Sequence, residues 1–163
     1  MNFVKPETWV EPEPNEIEIV TLLLGKSPQS EFQILIREKD GSPLVIENAP
    51  FFHDGTPMPT RFWLLPSDTY TAVSKLESAG GIKQVQEEIS LEEIQKIHTK
   101  YEVGRDALIS VDYEGPRPSG GVGGTRKGVK CLHAHVANLL AVGEDVVGQW
   151  TLDSINQSEE EAK

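Results

Sequence analysis

The chain has 163 residues, 37% of them apolar and 25% charged, with a formal net charge of −11. That length supports one domain with a core of its own. The acidic balance excludes general nucleic-acid binding through phosphates, one cysteine excludes an internal disulfide, and no apolar run approaches the ~20 residues of a membrane span.

In chain order, residues 1–14 read as an extended arm, with Pro6, Pro12 and Pro14 among acids and Phe3 and Trp9 available to pin it to the body. The first residues show no charged-then-apolar signal pattern, so a cytoplasmic protein is expected. Asn15 is placed to cap a helix over Glu16–Leu24, closed by Gly25. Phe32–Arg37 and Leu44–Glu47 are strands joined through Lys39–Pro43, a hairpin whose adjacent apolar residues suggest burial on both faces. A loop with three prolines follows and leads into a third strand, Arg61–Leu65. A rigid loop of that kind is a natural place for function, and His53, Asp54, Thr56 and Thr60 are its candidate supporting residues. An Asp54-Gly55 turn with a surface histidine is the simpler account of the first two.

Ser67 caps a helix over Asp68–Ser78, and a second helical stretch runs from Ile82 to about Ile89. Ser90-Leu-Glu-Glu93 is a capping box that opens a longer helix to about Ile109, interrupted at Gly104-Arg105. His98 reads as a boundary residue beside the Ile97 stripe. After a linker at 112–118 comes a glycine-rich loop, with Gly120, Gly121, Gly123 and Gly124 in five positions. An amphipathic helix with Val129, Leu132, Val136, Leu139 and Leu140 on its apolar face follows. Cys131, His135 and Asn138 fall on the opposite face, and in a regular helix Cys131 and His133 would point about 160° apart. Gly143 ends this helix. Asp145–Asp153 is a short helical or irregular coda, and 154–163 a disordered acidic tail.

Between Gly115 and Gly143 stand Arg117, Arg126, Lys127 and Lys130 and not one Asp or Glu, a cationic island in an acidic chain. A glycine loop, basic side chains and a helix start together suit an anion. The expected binding residues are Gly121, Gly123, Gly124, Arg126, Lys127 and Lys130. Neither a Walker loop nor a dinucleotide fingerprint is present.

Asp54-Gly-Thr-Pro-Met-Pro-Thr60 with Phe62-Trp63-Leu64, and Val122-Gly-Gly124 with Val129-Lys-Cys-Leu-His-Ala134, resemble an actinobacterial family catalogued as domain of unknown function 501. The resemblance covers roughly residues 15–150. It implies a gene neighbourhood of enolase, a septum-formation initiator and an exopolyphosphatase, and no activity. Relatives tend to carry histidine where Asn138 stands and an apolar residue where His135 stands, so Cys131 and His133 are the residues the resemblance carries over.

Three functions follow. The leading one is a non-catalytic interaction module that docks an acidic protein segment on the cationic loop and helix start. The alternative is a small-anion protein or enzyme for phosphate or carboxylate, with Cys131 as nucleophile and His133 or His135 as acid/base. The third is a metal site from Cys131, His135 and His53, three ligands where a structural zinc wants four; no metal ligand and no cofactor is assigned. The fold expected is α+β: a single domain at 15–153, with a three-stranded, mostly antiparallel sheet covered by four or five helices.

Overall fold

The computed structural model describes residues 2–162. The elements are α1 (Pro14–Leu24), β1 (Ser30–Arg37), β2 (Pro43–Phe52), β3 (Phe62–Leu64), α2 (Asp68–Ser78), α3 (Gly81–Glu88), α4 (Leu91–Asp106), a 3₁₀ turn (Val122–Gly124), α5 (Leu132–Val142) and α6 (Val146–Glu161). Among the described residues the fold is α+β, one antiparallel sheet in the order β1-β2-β3 with six α-helices.

Alternation along the strands sorts the sheet into two buried faces. Phe32, Ile46 and Leu65 meet Val20 of α1 on one side. Val45, Phe62 and Leu64 join the main core with Val73, Ile94, Leu132 and Val136 on the other. The sheet is thus a middle layer, α1 outside it and α2–α6 beyond. Among the described residues no helix is long and apolar enough to cross a membrane.

Local signals placed most boundaries. Ser67 accepts from the Tyr70 N–H and Ser90 from the Glu93 N–H, as capping residues do. At α1 the helix starts earlier than expected, with Pro14 in the first turn and Glu13 as cap. Proline fits there because its missing N–H has no intrahelical partner to lose.

Several expectations change. β2 runs five residues past Glu47, because the proline loop folds back on it: the Met58 N–H donates to the Pro50 carbonyl and Phe52 N–H to Thr56. Pro50 sits beyond the last β3 pair, Glu47–Phe62, so its missing N–H breaks no ladder bond there. α4 passes through Gly104 unbroken, and Arg61 crosses close over the bare Cα. The arm is pinned through the two aromatics that offered to hold it: Phe3 bridges to Ile109 and stacks edge-on with Trp9, ring centroids 5.0 Å apart. Where a disordered tail is expected, α6 continues through Glu161, since Ile155 still packs on the core one turn past Leu152.

Candidate functional site

The glycine loop is fastened to α4 by two buried side chains. His98 accepts the Val122 N–H at Nδ1 (3.0 Å) and its Nε2 bonds the Gly128 carbonyl (2.7 Å), which places its proton on Nε2. Burial holds its pKa below the ordinary histidine value. Gly121 lies flat against this ring, and a Cβ there would overlap it. Arg105, 1% exposed, donates to the carbonyls of Gly120 (2.7 Å), Pro118 (3.3 Å) and Pro59 (3.1 Å), tying the glycine loop to the proline loop. Neither residue stood out in the sequence, where His98 read as a boundary residue and Arg105 as part of a helix break. The glycines therefore serve close packing first. Several loop N–H groups are spent internally: Gly121 on Thr125, Gly124 on Gly121, and Val129 on Gln86.

The helix after the loop begins at Leu132, not at Val129, with Cys131 as an extended cap residue. That one change rearranges the expected face. Cys131 and His133 are not opposed; Sγ and Nδ1 lie 3.6 Å apart. Glu77, at the end of α2, reaches the same point. Its Oε2 is 3.3 Å from His133 Nδ1 and accepts the Leu132 N–H at 2.7 Å. The sulfur, ring nitrogen and carboxylate oxygen all lie within 4.8 Å of one another, the one such group among the described residues that has metal-ligand chemistry. The far nitrogen, Nε2, meets Ser74 Oγ (2.9 Å) and the Tyr70 carbonyl (3.3 Å). Glu77 was absent from the expected set because it lies 55 residues from Leu132 in the chain.

The helix start is consequently filled by the protein's own carboxylate. Nor is the thiol activated: burial pushes the Cys131 pKa up and Glu77 adds to that, against smaller opposing effects of the Ala134 and His133 N–H groups. In EDTA-treated protein, the pH profile of Cys131 alkylation is expected to inflect above the ordinary thiol value of about 8.5. An inflection well below that value would restore the activated nucleophile.

His135 belongs elsewhere. It is fully buried, with Nδ1 at 2.9 Å from Asp145 Oδ2, and Asn138 donates to the same oxygen at 2.9 Å. Asp145 Oδ1 caps α6 by accepting the Gly148 N–H. His53, Asp54 and Thr56 lie exposed at a turn, where Asp54 accepts the Thr56 N–H; that bond holds the Asp54 carboxyl below its usual range. Cys131, His135 and His53 thus have three separate surroundings, and the metal set built from them dissolves.

A cleft of about 420 Å³ opens between the end of α1, β3 and the helix start. Lys26, Thr60, Gly123, Lys130, Cys131 and His133 supply its polar lining, and Leu23, Trp63 and Tyr70 are among its apolar walls. Among the described residues no carboxylate lines it. The larger of the two cavities, about 490 Å³ between α4 and the end of α5 with its turn into α6, mixes Arg61, Lys96 and Lys100 with Glu93, Glu144 and Asp145. Gly124, Arg126 and Lys127 are exposed and do not line the 420 Å³ cleft. Among the described residues, Lys26, Arg126, Lys127 and Lys130 form no ion pair.

A family model described as "Protein of unknown function (DUF501)" matches residues 34–153, which takes in the second half of β1 and everything from there to the middle of α6. No curated protein and no solved structure matches the chain.

Proposed function

The chain belongs to that family of proteins of unknown function, and from this premise we propose that it binds a small organic anion, a phosphate or carboxylate, in the cleft beside Cys131. One observation carries the reading: in a chain of net charge −11, this concavity is lined, among the described residues, by two lysines without an ion pair and by no acid. Lys26 and Lys130 supply the charge, the Thr60 hydroxyl a hydrogen bond, and Trp63 and Tyr70 flat apolar surface for the body of the ligand. The volume falls in the range of small-molecule sites, which are mostly apolar with few placed polar groups. A cytoplasmic setting fits a chain whose one cysteine is unpaired.

Thermal unfolding tests this with pyrophosphate, short polyphosphate and small carboxylates against potassium chloride at matched ionic strength. A ligand at 100 times its Kd stabilises by about 2.7 kcal/mol, or about 5–10 °C for a chain of this size. The Lys26→Glu, Lys130→Glu pair is expected to abolish the shift and the Arg126→Glu, Lys127→Glu pair to leave it. No anion-specific shift, or one indifferent to Lys26 and Lys130, would remove the proposal. The exposure of Arg126 and Lys127 outside the cleft favours a second reading, an acidic protein segment docked on them. There the dependence on the two pairs of cations is reversed.

A further inference from the structure

We propose that Glu77, Cys131 and His133 form a mononuclear site for a zinc-type divalent ion, with its fourth position open to water at the cleft. The first support is distance. A tetrahedral zinc with bonds of about 2.3 Å to sulfur, 2.05 Å to nitrogen and 2.1 Å to oxygen holds S and N about 3.6 Å apart and N and O about 3.4 Å apart. The corresponding separations are 3.6 Å for Cys131 Sγ to His133 Nδ1 and 3.3 Å for His133 Nδ1 to Glu77 Oε2. The third pair, sulfur and carboxylate oxygen, lies within 4.8 Å, and the three donors come from the end of α2 and the start of α5.

The second support is the tautomer. Ser74 gives its hydroxyl proton to the Tyr70 carbonyl at 3.0 Å, so toward His133 it acts as an acceptor. The Tyr70 carbonyl also only accepts. Nε2 must therefore carry hydrogen, and in the neutral ring the Nδ1 lone pair points at the carboxylate and the sulfur. Two acceptors then face each other, with one S–H proton to share between them. A cation at the centre satisfies all three. An outer hydrogen bond that fixes the far nitrogen is also what metal-bound histidines use.

Chemistry selects the ion. Thiolate with imidazole and carboxylate suits zinc and disfavours magnesium or calcium. Binding exchanges one proton for the metal: Sγ–H breaks, Sγ–Zn forms, and the proton leaves to solvent. Glu77 Oε2 keeps its bond from the Leu132 N–H on one lone pair and ligates with the other. Three protein ligands leave one position open, the arrangement of zinc sites that accept water. Cys131 and His133 both line the cleft, so that position has solvent access. The site does not rest on the anion reading.

Cobalt titration of the full chain, in buffer free of phosphate and carboxylates, is the test. The wild type is expected to develop a thiolate-to-cobalt charge-transfer band that saturates at one equivalent and is erased by one equivalent of zinc. Cys131→Ser should lose the band, while Glu77→Gln and His133→Ala should weaken cobalt binding by roughly tenfold or more. Ser74→Ala touches no ligand atom and should still weaken it about tenfold, through the freed ring. Wild-type protein with native circular dichroism and no band at excess cobalt overturns the site, as does a band that survives in Cys131→Ser. Should a variant misfold, the wild-type titration with zinc competition still decides.

Discussion

Replacing Arg105 by alanine is expected to lower folding stability by about 3–5 kcal/mol, from buried carbonyls left without a donor together with the cavity in place of the side chain. The guanidinium is almost wholly out of water, and its one carboxylate contact is Asp106, 3.1 Å away and itself partly exposed. Its other bonds go to the carbonyls of Pro59, Gly120 and Pro118, which belong to two loops with no ladder between them. Alanine would leave those carbonyls without a donor and a hole where the side chain lay. Arg105→Lys keeps the charge but brings a compact ammonium where a planar fork spans separate acceptors, so it should recover only part of the loss. Urea unfolding measures both, with the m-value checked for constancy. The consequence reaches the cleft, because Pro59 adjoins Thr60 and Gly120 lies three residues before Gly123, both of which line it. An Arg105→Ala protein as stable as wild type would show that the loops hold together without this clamp.

Asp145 is the second point of large effect. Its carboxylate is fully buried and takes hydrogen bonds from His135, Asn138 and the Gly148 N–H, so it joins α5 to α6 and caps α6 at once. Removing it with Asp145→Ala should cost about 3–5 kcal/mol, since buried donors on both helices lose their acceptor together. Asp145→Asn is the sharper comparison. Both carboxylate oxygens accept, and an amide presents an NH₂ to one set of donors whichever way it turns. About 1–3 kcal/mol is expected for that variant, less than for alanine. Equal losses for the two would mean that the shape of the side chain, not its acceptors, matters at α5–α6.

The same pair of helices explains why part of the site was legible and part was not. Cys131 and His133 stood out as chemistry-bearing residues beside a glycine loop, and they do meet. A regular helix from Val129 would point the two apart, whereas Cys131 is extended, with φ −150° and ψ 124°. His135, which a regular helix would put on one face with Cys131, is instead sealed against Asp145. The glycines suggested an anion cradle, but Gly121 is bare because the His98 ring lies on it. No spacing along the chain announces that contact.

What the amino-acid order determined by itself is whatever acts over a turn or a strand pair. Ser67 and Ser90 start helices by accepting N–H groups three residues ahead, Gly25 and Gly143 end them at φ 78° and 83°, and Gly41 turns the β1–β2 hairpin at φ 90°. Adjacent apolar residues in the first two strands announced a sheet buried on both faces. Tertiary structure alone decided the partners of the polar side chains: Glu77 for Leu132 and His133, Asp145 for His135, Arg105 for Pro59, His98 for Gly128. A helix or hairpin is written in neighbours a few residues apart, whose geometry the backbone enforces. A buried donor takes whichever acceptor the packed layers bring within 3 Å or so, and the chain separating the two puts no mark on either.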